Sequence, residues 1–181
     1  GEYYLLNGTK NWITNGNAAS VYLVIAQTDI EKGYKGINAF IVEKDMEGFV
    51  VGEKENKLGI RGSDTHSLMF TDVKIPKENR IGDNGFGFAF AMKTLSGGRI
   101  GIASQALGIA SGAYELALQY SKERKTFGKE IASHQAIAFK LADMATEIDA
   151  ARLLCLKAAW LKDHNKKYDR AGAMAKVFAS E

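Results

Sequence analysis

This chain of 181 residues has one cysteine, one proline and three histidines, and each scarcity excludes something. A lone thiol, Cys155, cannot close an internal disulfide, so no disulfide framework holds the fold. His66, His134 and His164 share no metal-ligand spacing with one another or with Cys155, which excludes a zinc module. An excess of one charge is also missing: 24 Lys and Arg stand against 21 Asp and Glu, a net +3, so no field points toward nucleic acid or an anionic membrane. No apolar run approaches the ~18 residues of a membrane-spanning helix, and no charged-then-apolar segment opens the sequence as a signal peptide does. The chain reads as soluble and intracellular. Apolar residues make up 46%, enough for one large domain or two small ones with real cores.

Through about residue 80 the pattern is short β-rich runs separated by turn chemistry. Tyr3–Leu6 and Lys10–Thr14 flank Asn7-Gly8, the strongest short hairpin signal. Val21–Ala26 and Ile37–Val42 are continuous apolar runs, as expected of strands covered on both faces or packed sheet to sheet. Phe49–Val51 and Ser67–Val73 add two more. Five or six closely spaced strands without helices between them predict an antiparallel β-barrel or sandwich. Pro76 closes this region, and Gly82-Asp83-Asn84-Gly85-Phe86-Gly87 reads as a flexible junction. A boundary near residue 85 separates a β domain over 1–84 from a helical domain over 85–181.

Beyond it, Ile100, Ala103, Leu107, Ala110, Tyr114, Leu116 and Leu118 recur at helical spacing through Glu123, with Gly101, Gly108 and Gly112 letting neighbouring helices approach. A second helix is expected from about Ser133 to Lys162, its buried stripe running through Ile137, Leu141, Met144, Ile148, Ala151 and Leu154-Cys155. A third begins near Asp169. The fold class is therefore α+β, an antiparallel barrel or sandwich followed by an incomplete antiparallel helical bundle. Both ends read as interiors of elements, as though cut.

Several familiar motifs fail. Gly82-x-x-Gly85-x-Gly87 has the wrong spacing for a dinucleotide fingerprint and no surrounding βαβ unit. Gly8-Thr9-Lys10 lacks the order of a phosphate loop, and no Gly-x-Ser-x-Gly elbow supports a serine hydrolase.

Five segments, in register over essentially the whole chain, resemble the acyl-CoA dehydrogenase family. They are Lys10-Asn11-Trp12-Ile13-Thr14-Asn15-Gly16, Lys57–Thr65 (KLGIRGSDT), Gly98–Ala103 (GRIGIA), Glu123–Lys129 (ERKTFGK), and His134-Gln135-Ala136-Ile137 with Leu141–Ala145 (LADMA). The Gly98-Arg99 segment with Ile100–Ala110 is most similar to the short-chain, butyryl-type branch. The resemblance implies a middle β-barrel and a C-terminal bundle holding FAD, usually in a homotetramer. It implies α,β-dehydrogenation of an acyl-CoA, the α-proton going to a carboxylate and the β-hydride to flavin N5, with electron-transfer flavoprotein as acceptor. The compartment is then bacterial cytoplasm or mitochondrial matrix. Protein residues supply orientation, electrostatics and exclusion of water.

On that resemblance Trp12, Ile13 and Thr14 belong to the flavin segment, although a strand tryptophan is by default a core aromatic. Trp12 and Thr14, two apart, share one face of a strand. Arg124, Thr126 and Phe127 match residues that meet the FAD of a partner subunit, and a guanidinium suits pyrophosphate by its bidentate fork. The helix dipole at a C-terminus would also favour a cation at Arg124. Gln135 matches a further FAD position, while His134 is structural. Ser63, in a polar turn, falls near the CoA moiety. Arg99 serves the thioester or CoA phosphates, or else a structural salt bridge.

The general base has no counterpart here. In most members it is a glutamate beyond residue 181; in a minority it precedes the bundle arginine, where this chain has Gly98. Glu115, Glu123 and Glu181 do not match, so no catalytic residue is assigned and the 181-residue chain is expected to be inactive alone. The competing readings are a non-catalytic oligomeric binding module of the same fold and an acyl-CoA oxidase-type relative.

Overall fold

The computed structural model describes residues 2–181, which divide into two compact units, one ending at Ala91 and the other spanning Met92–Glu181. The first holds two three-stranded antiparallel sheets. One has the order β1-β5-β4, from β1 (Tyr3–Thr14), β4 (Phe49–Lys54) and β5 (Thr65–Pro76). The other has the order β2-β3-β6, from β2 (Val21–Gln27), β3 (Ile37–Glu43) and β6 (Arg80–Ile81). Side chains alternate across each strand, so both sheets send one row inward. Leu6, Tyr22, Val24, Phe40, Val42, Phe49, Leu68, Phe70, Val73 and Ile75 meet in a single core. This is the sandwich of the two predicted architectures; among the described residues the sheets do not close into a barrel.

Three local expectations are corrected. Asn7-Gly8 is not a hairpin turn: β1 is one continuous strand paired along β5, from Tyr3 opposite Pro76 to Thr14 opposite Thr65. The dipeptide faces a β-bulge at Thr71-Asp72, where Asp72 takes φ 51° and its N–H donates to the Asn7 side chain at 2.8 Å. The bulge shifts the inward parity from Leu68 and Phe70 to Val73 and Ile75, keeping both halves of β5 in the core. Pro76 does not end the β region either, because β6 beyond it pairs with β3 at Ala39 and Phe40.

The glycine cluster, third, is locked rather than loose. Asn38, fully buried, accepts from the Gly85 N–H at 2.8 Å and donates to the Asn84 side chain at 2.9 Å and the Thr28 hydroxyl at 2.7 Å. Gly87 lies so close to the Asn38 backbone that no Cβ would fit.

Helix α1 (Phe86–Glu123) begins in the first unit, and from Met92 onward it belongs to the second with α2 (Gln135–Asp163) and α3 (Asp169–Ser180). The core of this unit is small-residue packing: Ile100 and Ala103 of α1, Cys155 and Ala158 of α2 and Ala175 of α3. The expected α1 face holds at Ile100, Ala103 and Leu107, but Ala110 and Leu116 are exposed. The α2 stripe is half-buried from Ile137 to Ile148 and fully buried at Ala151 and Cys155. Gly172 of α3 is a glycine that does face a neighbouring helix: a Cβ there would lie 3.5 Å from Ile100 Cγ1 and from the Ser96 carbonyl oxygen. A Cβ at Gly101, Gly108 or Gly112 would meet nothing of another element within 4 Å among the described residues, contrary to the role expected of them.

Candidate functional site

In the first unit the site is built on the C-terminal end of β1. Between the Lys10–Leu68 and Ile13–His66 pairs, Asn11 and Trp12 oppose the single residue Ser67, a bulge in which Trp12 takes φ 53°. Its indole is 72% exposed, whereas Ile13 packs on the core and Thr14 stays on the surface. A groove of about 450 Å³ opens between β1 and β2, lined by Lys10, Ile13, Thr14, Asn15, Tyr22 and Ile25 among others. Trp12 is not among its lining residues. Lys10 ties the strands at this point by donating to the Ile25 carbonyl at 2.8 Å.

The turn after Thr14 is clamped from several sides. The Asp64 carbonyl accepts from the Asn15 N–H at 2.7 Å, and one Asp64 carboxylate oxygen accepts from the N–H groups of Asn17 and Ala18 at 2.9 and 3.1 Å. The Tyr22 hydroxyl lies 2.8 Å from the Gly16 carbonyl and 2.9 Å from that of Ala19. The Lys44 ammonium donates to the Asn17 carbonyl. The other Asp64 oxygen faces His66 Nε2 at 2.9 Å, while His66 Nδ1 lies 2.8 Å from the Gly52 carbonyl.

These contacts set the local titration. The backbone N–H of Asn17, then the hydrogen bonds from His66 and Ala18, holds the Asp64 carboxyl below the usual carboxylate range against the opposing effect of desolvation. The Gly52 carbonyl, then Asp64, raises the His66 value while burial and Lys54 oppose. Burial, with the Asp64 charge second, pushes the Tyr22 phenol up.

The KLGIRGSDT segment closes around one ammonium. Lys57 donates to the carbonyls of Ile60 and Ser63, each at 2.9 Å, and to the Thr65 hydroxyl at 2.8 Å. Ile60, with φ 50°, is thrown outward and is 76% exposed. Ser63 is half-buried, and its N–H donates to the Ile60 carbonyl at 3.0 Å.

In the second unit, α1 ends at Glu123 and a two-residue hairpin follows, Thr126 pairing with Lys129. Phe127 (φ 51°) and Gly128 (φ 78°) form its tip, both in the left-handed region that a tight type I′ connection demands. Phe127 is 96% exposed. The Thr126 hydroxyl lies 3.1 Å from His134 Nε2, consistent with a structural His134. Arg124 and Gln135 are exposed, and among the described residues neither side chain has a hydrogen-bond partner. Arg99 is exposed and contacts the Ser96 hydroxyl at 3.4 Å; among the described residues it forms no salt bridge. Glu115 and Glu123 are solvent-facing, and Glu123 accepts from Gln119 at 2.9 Å.

Residues 1–73 match the model of the acyl-CoA dehydrogenase middle domain, and residues 85–181 that of the acyl-CoA dehydrogenase C-terminal domain. The chain belongs to the acyl-CoA dehydrogenase family. It is 53% identical over 178 residues to the short-chain specific acyl-CoA dehydrogenase of Megasphaera elsdenii, covering 98% of this chain and 46% of that protein. The solved butyryl-CoA dehydrogenase of that organism superimposes with a TM-score of 0.94, over 98% of this chain and 46% of that one. Subunit CarC of the caffeyl-CoA reductase-Etf complex of Acetobacterium woodii is 50% identical over 181 residues, covering 100% of this chain and 48% of CarC. The prolyl acyl carrier protein oxidase AnaB shares the fold at a TM-score of 0.96 and 29% identity, over 99% of this chain and 48% of that one. The chain spans about half the length of the curated relatives it matches.

In this member of the acyl-CoA dehydrogenase family the expected site residues fall into groups. Trp12, Ile13 and Thr14 lie together at the end of β1, with Ser63 on the loop leading into the partner strand β5. Arg124, Thr126, Phe127 and Gln135 lie together around the hairpin after α1, whereas Arg99 stands several turns earlier on that helix. Asp64, His66 and Lys57, which hold the first group in place, were not singled out from sequence. Asp64 and His66 are two apart at the start of a strand, a spacing that could have flagged the pair. No helix among the described residues is long and apolar enough to cross a membrane.

Proposed function

We propose that this chain is the FAD-binding core of an acyl-CoA dehydrogenase acting on short-chain acyl-CoA thioesters, with 1–84 as its middle β domain and 85–181 as part of its helical domain. The observation that carries the reading is where strain and exposure coincide. Among the described residues the non-glycine positions with left-handed backbone are Trp12, Asn15, Ile60, Asp72, Phe127 and Asn165. Asn and Asp tolerate that conformation, whereas bulky side chains meet a steric penalty of about 1–2 kcal/mol. The three bulky ones, Trp12, Ile60 and Phe127, are also largely exposed. A fold gains nothing by holding strained apolar side chains in water, and such strain gathers where ligands are clamped. Each of the three lies in a segment that resembles the family's flavin or thioester segments.

The residues present fit a flavin. Trp12 offers an aromatic face and Thr14 a hydroxyl toward a planar ring system, with Ile13 anchoring the strand between them. The Arg124 side chain, without a hydrogen-bond partner among the described residues, suits a pyrophosphate, and Thr126, Phe127 and Gln135 lie on the same hairpin and the start of the next helix. In the homotetramer that this reading includes, these four serve the FAD of a neighbouring subunit. Trp12 and Thr14, with these four residues of a neighbour, would hold FAD, which would supply the hydride acceptor for the β-carbon of the acyl-CoA, with electron-transfer flavoprotein as the onward electron acceptor. Ser63 and Arg99, which forms no salt bridge among the described residues, act on the CoA side. The base that removes the α-proton lies outside these 181 residues, since Gly98 has no side chain and Glu115, Glu123 and Glu181 do not match the position.

The protein with its flanking sequence is expected to be yellow, and anaerobic butyryl-CoA is expected to bleach its visible flavin band. The 181-residue chain alone is expected to give no turnover with butyryl-CoA and an artificial acceptor. Colourless protein would overturn the flavin reading, and robust turnover by the chain alone would overturn the placement of the base. The likeness to the oxidase AnaB favours one second reading, in which oxygen reoxidises the flavin directly. Rapid reoxidation in air after substrate reduction distinguishes it.

A further inference from the structure

We propose that His66, held as an imidazolium between the Gly52 carbonyl and Asp64, is a positioning residue for the Trp12–Thr14 segment, so that FAD affinity follows the charge on this ring. The inference rests on the reading of that segment as a flavin site.

The geometry first requires a cation. Nδ1 faces a carbonyl at 2.8 Å and Nε2 faces a carboxylate at 2.9 Å, and both partners only accept. Neutral imidazole carries one N–H, so one of the two contacts would set lone pair against lone pair; the imidazolium donates to both. The ring is buried, so water does not substitute freely for a lost partner.

The same geometry connects the ring to the flavin segment by three routes. His66 is the direct ladder partner of Ile13, and Thr65 that of Thr14. Asp64 divides its oxygens between His66 and the N–H groups of Asn17 and Ala18, so the ring fixes the carboxylate that pins the turn beginning one residue after Thr14. Gly16 in that turn lies against the ring's root: a Cβ there would stand 2.8 Å from the His66 Cβ. On loss of the proton the ring keeps a single N–H, so it no longer donates to the Gly52 carbonyl and the Asp64 carboxylate together, and the bridge that fixes β4 and the acceptor of the turn against each other is broken.

The charges acting on the ring come from two elements. Asp64 favours the imidazolium, and Lys54 of β4, opposite His66 in the ladder, disfavours it. From β2 the Tyr22 hydroxyl lies over the same turn, near Asp64, and is uncharged at neutral pH. β1 brings the uncharged Ile13. The ammonium groups of Lys44 and Lys57 hold backbone carbonyls of Asn17 and of Ile60 and Ser63 in the adjoining turn and loop. The balance raises the His66 value above the ordinary ~6.5. The stabilisation is therefore complete below that ordinary value and fades as pH rises through the higher folded value.

The test is FAD binding to apoprotein made from the intact holoenzyme, from about pH 6 to about pH 9. Wild-type affinity is expected to weaken about fivefold or more across the upper part of this range, the lower end of ordinary coupling between two sites. With His66→Arg, which keeps a cation at every pH, affinity should stay tight and flat. With His66→Gln it should be weak and flat, with altered fine structure of the flavin band at all pH values. A pH profile shared by wild type and His66→Arg overturns the proposal, and so does a flat wild-type profile, which needs no variant to fold. Trp12→Ala separates the two levels. If it leaves FAD affinity unchanged, the flavin site is elsewhere and the underlying reading fails. If it weakens binding while the His66 variants follow wild type, only the positioning role fails.

Discussion

The Ser96 hydroxyl of α1 donates to a carboxylate oxygen of Asp169, in the first turn of α3, at 2.6 Å. Ser96 is buried and Asp169 exposed, so the bond closes the edge of the small-residue core where α1 meets α3. A hydrogen bond to a charged acceptor contributes about 1.5–3 kcal/mol in favourable surroundings, and solvent at Asp169 reduces that. Ser96→Ala should therefore cost about 1 kcal/mol in urea denaturation. A double-mutant cycle with Asp169→Ala should be non-additive; simple additivity would mean that the two groups are not coupled.

Substitutions at Gly172 should have opposite signs according to size. A Cβ here would rest 3.5 Å from Ile100 Cγ1 and from the Ser96 carbonyl oxygen, which is ordinary contact. Gly172→Ala should stabilise the chain by up to about 1 kcal/mol through helix propensity. Gly172→Val should destabilise it by about 1–3 kcal/mol by overpacking the α1–α3 contact. Thermal melts of the two variants on opposite sides of wild type are the expected result, and two shifts of the same sign contradict this packing.

Asn38 offers a larger effect. Replacing it with Ala strands the Gly85 N–H and removes the donor to Thr28 and Asn84 in a buried site. The loss should be on the order of 3 kcal/mol. Limited proteolysis should also begin to cut at residues 82–87 in the variant. An unchanged melt with an intact glycine cluster would show that Asn38 does not lock it.

Phe127 should separate stability from binding. Its left-handed backbone at the hairpin tip suits Asn better than Phe, and its ring is almost wholly in water. Phe127→Asn is expected to raise stability by about 1 kcal/mol while weakening FAD binding in the holoenzyme. Isothermal titration and a thermal melt read the two effects separately. A variant that binds FAD like wild type would remove Phe127 from the site.

The candidate site was legible where its chemistry is local. Trp12-Ile13-Thr14 and Arg124-Lys125-Thr126-Phe127 are contiguous strings, and a contiguous string keeps its meaning whatever packs on it. Asp64 and His66 are silent in the sequence because their role depends on the Asn15–Ala18 turn nearly fifty residues earlier, and sequence alone does not say that the turn lies there.

Order and kind of element came from periodicity in the chain itself: apolar runs at strand length through Val73, then apolar and small residues at helical spacing from Phe88, because those repeats are properties of adjacent residues. Pairing and packing did not. Asn7-Gly8 suits a hairpin tip or a bulge facing position equally, and β5, some sixty residues on, selects the bulge. Glycine is likewise silent about its neighbours: Gly101, Gly108 and Gly112 look as suited to close packing as Gly172, yet only Gly172 has another helix against it. A residue's own preferences act over a few bonds, whereas contact partners follow from where distant segments are brought by the folding of the whole chain.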